Sequence, residues 1–306
     1  MTRIITSIIA VVFFTPWAFL PVFAGEPAGY LLKTQIAQAR RENPKIFQEL
    51  NVLKGRMPML DGQKHGRLAI VTPILKSLGP AALMPMLEEL MNGFSQREMT
   101  PSARVAWRVG LIEAVCALRD TRSTDVLRGI MDAENDPDIV LAAAVGVGKL
   151  AGGSALEILG PLAGKAGSKQ FAAIAGLGNC RTLEAARFLS SLIKKCSDEK
   201  TASELAKALG ELGSSWVWQT PELSERDDAV EIRRFVAQAL LDVFVAGKGD
   251  TRSAAETGFL IVDPPDVDSL MKDTKMKASK WDRTELERLA SRLAHSPLHS
   301  SPGVAP

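Results

Sequence analysis

The chain has 306 residues, 46% of them hydrophobic and 24% charged, with 37 basic side chains against 35 acidic ones and a net charge of +2. So even a balance argues against a nucleic-acid grip, which works by massed positive charge. Three cysteines, an odd number, exclude a framework in which every thiol is bridged within the chain.

Residues 1–24 read as an export signal. Arg3 is followed by an apolar run from Ile4 that closes in Val22-Phe23-Ala24, and cleavage is expected after Ala24. Pro16 and Pro21 interrupt the run and make it a poor membrane span, although an uncleaved signal anchor is the alternative. Gly25 stands after the cut where a lipoprotein would have cysteine. Losing Arg3 with the signal leaves the remainder close to neutral. No later stretch is apolar enough to cross a bilayer, so the expected address is periplasmic or secreted.

Residues 25–64 read as a helical cap. Leu31, Leu32, Ile36 and Ala39 share one helical face, and Asn43-Pro44 predicts the start of a second helix that runs to Leu53. Gly55 and Asp61-Gly62 mark breaks.

From 65 to 246 a helix-turn-helix unit recurs. In its clearest copy Ile139, Ala142, Ala143, Val147 and Leu150 keep helical spacing, Ala-Gly-Gly-Ser interrupts, and Ala155, Leu156, Ile158, Leu159 and Leu162 resume. The next copy runs from Phe171 to Leu177 and from Ala185 to Ile193. Aligned on their second helices, the copies place Leu87, Leu127, Leu159 and Leu189 at one position, preceded by Met86, Val126, Ile158 and Phe188. The first helices end at Leu78, Leu118, Leu150, Leu177 and Leu212, with Gly79, Gly178, Gly210 and Gly213 at or near the stops. Apolar stripes of this kind predict helical pairs that bury one another's faces, which is the logic of a solenoid.

The segment Ala142-Ala143-Ala144-Val145-Gly146-Val147-Gly148-Lys149-Leu150, followed by Ala155-Leu156-Glu157-Ile158-Leu159, resembles HEAT repeats of the short, phycobilisome-lyase HEAT-like type. Asp136-Pro137-Asp138-Ile139-Val140 is similar to that family's helix start. The resemblance spans about residues 65–246 and departs at Arg119, which replaces a Gly, and at the insertion Asn92–Pro101. It implies an all-α fold, a right-handed α-α superhelix whose second helices line the concave face. It implies no lyase chemistry, because no repeat motif here is catalytic.

Beyond the array, Trp216-Val217-Trp218 and the polar loop to Asp228 read as a fray before a helix from Ala229 to Val245. Residues 247–295 read as irregular up to a helix from Trp281 to Ala294, and 296–306 as a disordered tail rich in Ser, Pro and Gly.

Candidate chemistry is sparse. Asp132, Glu134, Asp136 and Asp138 alternate like calcium ligands, but Pro137 and Ala143 stand where such a loop needs Gly and Glu. Asp136 is expected to cap the next helix instead. Gly146-Val147-Gly148 lacks the strand-turn-helix context of a nucleotide loop and is expected to let a neighbouring helix approach. His65, His295 and His299 are the only histidines and offer neither a zinc set nor a catalytic base. A helix between Cys180 and Cys196 would hold them too far apart to bridge, and Cys116 reads as a small buried apolar group. Trp216 and Trp218 are a possible aromatic platform, with burial the competing use. The run Lys272, Lys275, Lys277 and Lys280 reads as a solvated face.

The expected function is therefore binding. No catalytic residue, cofactor or metal is assigned. The expected protein-binding face is the polar ladder of the second helices: Glu88, Glu89, Asp125, Arg128, Glu157, Arg187, Ser190 and Ser191. The expected role is an exported, non-enzymatic scaffold or adaptor for a protein partner. The alternatives are an accessory subunit or enzyme with a ligand site in residues 216–280, and a rigid spacer.

Overall fold

The computed structural model describes residues 28–92, 99–264 and 266–296. The export signal, residues 93–98 of the expected insertion, and His299 with the tail from 297 lie outside the described residues.

Every regular element among the described residues is helical. The cap comprises α1 (Ala28–Glu42), α2 (Pro44–Gly55) and α3 (Met57–Gly62). Then come α4 (Thr72–Lys76), α5 (Leu83–Asn92), α6 (Pro101–Ala117), α7 (Ser123–Ala133), α8 (Pro137–Leu150) and α9 (Ala155–Ala163). They are followed by α10 (Gln170–Leu177), α11 (Leu183–Lys195), α12 (Glu199–Gly213), and the short α13 (Ser215–Trp218) and α14 (Pro221–Ser224). The chain closes with α15 (Ala229–Ala246), α16 (Gly249–Val262), α17 (Val267–Lys277) and α18 (Lys280–Ala294).

Helix starts follow the capping chemistry of the sequence. Asp136 accepts the amides of Asp138 and Ile139 at 3.0 and 3.3 Å, with Pro137 in the first turn of α8. Thr100, Thr182, Asp198 and Ser279 cap α6, α11, α12 and α18 in the same way. Asn43 does not: Pro44 starts α2 without a side-chain hydrogen bond from the residue before it. At the turn after each of four first helices stands a left-handed residue: Gly79, Arg119, Gly152 and Arg181, with φ of +71°, +54°, +54° and +53°. Gly adopts that conformation freely, and Arg181 is fixed by the hydrogen bonds of its buried guanidinium.

The helices pack in two rows. In the first row α4 lies on α6, α6 on α8, α8 on α10, α10 on α12, and α12 on α16. The row is made by missing side chains. A β-carbon on Gly148 would collide with the Gly176 carbonyl oxygen, one on Gly178 would sit 2.8 Å from Ala208 O, and one on Gly210 would sit 2.6 Å from Gly258 Cα. These helices touch backbone to backbone, as expected for glycine inside the packed α8.

The second row is filled instead. Leu87, Leu127, Leu159 and Leu189 are all fully buried, on α5, α7, α9 and α11. Met131, Ala163 and Ile193 continue the stripe one turn on. Here α5 packs on α7, α9 on α11, and α11 on α15.

The C-terminal region corrects the expectation that 247–280 is irregular, because α16 and α17 occupy it. Thr251, Ala254, Ala255, Gly258, Phe259 and Val262 keep helical spacing and are buried in α16. Small residues carry the contact with α12, so the apolar signal is faint. The last helix, α18, buries Leu286, Leu289 and Leu293 and is clasped by Glu256 of α16. That carboxylate accepts two 2.9 Å hydrogen bonds from Arg288 and another from Arg292. Burial pushes the Glu256 carboxyl up and the two arginines push it down; the arginines win.

Candidate functional site

A groove of about 900 Å³ runs across the outer side of the first row. Its floor is built from side chains one helical turn apart, which share a face. Leu68, Thr72 and Lys76 come from α4 and the residues before it, Val109 and Glu113 from α6, and Leu141, Val145 and Lys149 from α8. Leu141 stands near the start of α8 and Val109 and Val145 at mid-helix, while Lys76 and Lys149 stand near the helix ends. Leu141 is 42% exposed, a large apolar side chain on an open surface.

One end of the groove is closed by Arg181. Its side chain is only 8% exposed, and it donates to Gly178 O at 2.8 Å, to Glu211 O, and to Glu211 Oε1 at 3.0 Å. Burial pushes this guanidinium below its usual range, against the pull of Glu211. The arginine thus ties the α10–α11 turn to the end of α12.

The side wall is the segment holding α13 and α14, which contributes Val217, Thr220, Glu222 and Leu223. Trp218 anchors it. The indole is buried, Nε1 donates to Leu212 O at 2.9 Å, and the Arg226 guanidinium lies 5.1 Å from the ring centroid. Ser215 Oγ donates to Ile261 O at 3.1 Å, and Arg119 meets Glu222 at 3.4 Å across the groove. A segment read as a fray from its sequence is therefore a wall fastened at both ends.

Cys116 and Cys180 also border the groove. Burial pushes both thiols up to about 12, so near neutrality they stay protonated and are poor nucleophiles. Cys180 and Cys196 stand at opposite ends of α11, and all three cysteines are free thiols.

The ladder expected on the second helices is only partly assembled. Asp125, Arg128, Glu157 and Arg187 are exposed. Glu88 is already bound to Arg40 of α1, and Glu89 to Lys54 of α2 at 2.7 Å and to the Trp107 indole at 3.3 Å. Ser190 is a correction: it is buried in α11, a helix covered by both α12 and α15. Ser191 is half-buried and donates to Phe188 O at 2.8 Å.

The paired aromatic platform is also corrected. Trp216 is 60% exposed while Trp218 is buried, so the two rings present no common surface.

Glu134 and Asp138 of the alternating acidic stretch pair with Arg108 and Arg67. Among the described residues no group of three or more His, Cys, Asp or Glu could hold a metal ion, and no helix is long and apolar enough to cross a membrane. The groove itself was not anticipated. Its signal was the outward stripe Leu141, Val145 and Lys149 on an alanine-rich helix whose opposite side drew the attention.

No family model matches the sequence, and comparison with curated proteins returns no match.

Proposed function

We propose that this chain is an exported, non-catalytic scaffold that docks a segment of a protein partner in the first-row groove. The helical pairs, in this reading, form a HEAT-like array wound as a right-handed α-α superhelix. The order of packing along the first row, from α4 to α16, favours that arrangement. Export rests on Arg3, the apolar run after it and the small residues to Ala24.

The single observation that carries the docking face is the groove. It is long, has a fastened side wall, and mixes exposed aliphatic groups with charge, as protein interfaces do. The second-helix ladder is the weaker candidate because Glu88 and Glu89 already serve the cap helices.

Site-specific photo-crosslinking in the native host separates the two faces. A photoreactive residue at Leu141 is expected to capture a discrete protein adduct, and one at Arg187 is not. An adduct from Arg187 alone would move the docking face to the second row, and none from either would favour a rigid spacer.

A further inference from the structure

The charges of the groove divide into those the chain already satisfies and those it does not. Arg181 is served by Glu211, Arg119 by Glu222, and Arg226 by Asp228. Asp138 is likewise taken by Arg67. Lys76 and Lys149 remain: both are exposed, both border the groove, and neither forms an ion pair with any described residue. Glu113, on the helix between theirs, accepts the Thr72 hydroxyl, and the edge keeps a positive excess.

Spacing makes the pair informative. Packed neighbouring helices lie about 8–10 Å apart, which puts α4 and α8, with α6 between them, about 16–20 Å apart. An extended chain covers that distance in about six residues, an even step that returns the side chain to the same face. Leu141, near the start of α8, and Val109 and Val145, at mid-helix, line the same groove. An extended segment alternates its side chains, so it offers aliphatic groups to the floor and charge to the rim.

We infer that the groove takes an extended acidic-aliphatic segment of a partner protein, with carboxylates about six residues apart on one face reaching Lys76 and Lys149 and aliphatic side chains against Val109, Leu141 and Val145. This rests on the proposed docking face and adds the chemistry of what occupies it. Charge complementarity of this kind sets specificity and encounter rate more than affinity, so the discrimination expected is between sequences of opposite charge.

The test is fluorescence anisotropy with the full chain and labelled peptides of alternating leucine and serine. They carry glutamate, glutamine or lysine at two of the serine positions, about six residues apart. The glutamate peptide is expected to bind saturably, about tenfold more tightly than the glutamine peptide, and the lysine peptide not at all. In the Lys76→Glu, Lys149→Glu protein the order is expected to reverse, with circular dichroism confirming that it is folded. Equal binding of the glutamate and glutamine peptides, or an order unchanged by the charge swap, overturns the acidic occupant. A Val145→Trp protein, which fills the groove without adding charge, tells that failure from failure of the docking face. It is expected to lose every peptide, whereas peptides that bind it undiminished, or that never saturate on the native protein, overturn the groove itself.

Discussion

The two rows of helices solve the same stacking problem in opposite ways. In the second row Leu87, Leu127, Leu159 and Leu189 fill the space with buried side chains, Leu127 and Leu159 reaching across to Gly146 and Gly176 of the first row. In the first row Gly148, Gly176, Gly210 and Gly258 remove the space, and the contact is backbone to backbone. A filled contact tolerates small adjustments, because side chains change rotamer. A backbone contact does not, because a carbonyl oxygen has nowhere to go. Under the groove the contacts are glycine to side chain: a β-carbon on Gly110 of α6 would meet Val71 and Leu75, and one on Gly146 of α8 would meet Cys116 and Leu127.

The largest effect is expected where the wall meets the first row. Trp218→Ala should cost about 3–5 kcal/mol, because it removes a buried aromatic and leaves Leu212 O without its partner. Trp216→Ala should fall within about 0.5 kcal/mol of the native protein. Urea denaturation of both reads the difference; equal losses would mean that the segment is not anchored as described.

Next is the filled row. Leu159→Ala should cost about 2–5 kcal/mol by leaving a cavity in the second-row core, measured the same way. A loss below about 1 kcal/mol would place Leu159 at a boundary, not in the core.

The most conditional effect lies at the outer end of the first row. Asp61 receives hydrogen bonds from Lys64, Ser102 and Thr100, which hold its carboxyl at about 2, below the ordinary aspartate value of 3.8. A depressed pKa means stability that is present above the unfolded value and lost as pH falls through the folded one. Asp61→Asn should therefore melt earlier than the native protein at pH 7. The gap should narrow below about pH 4, be small at about pH 2 and vanish only below it. Thermal melts across that range by circular dichroism would refute the lock if the gap stayed constant.

What was legible in the sequence follows the same division. The second-row stripe could be read because leucines at helical spacing are a strong signal, and its four aligned leucines are buried as expected. Asp136 could be read because capping is local. The helix α16 was missed because Ala254, Ala255 and Gly258 make its contacts, and small residues look alike in helix and loop. The commitment of Glu88 to Arg40, and the inward turn of Ser190, depend on neighbours distant in the chain that no periodicity announces. Trp218 and Trp216 differ only in which side of a short helix they occupy. The groove was hidden because its residues sit on the outward side of helices whose inward side held the pattern.

The packing of α8, α10, α12 and α16 rests on helices that touch through glycine. Melting Gly176→Ala beside Gly129→Ala tests this most directly. Gly176 faces Ala144 O, 2.5 Å from where a β-carbon would sit, whereas Gly129 on α7 has nothing within 4 Å. In an open helix the exchange stabilises by about 0.5–1 kcal/mol, and against a backbone it costs about 1–3 kcal/mol. The account predicts opposite signs, with Gly129→Ala melting higher and Gly176→Ala lower than the native protein. Two shifts of the same sign would contradict it.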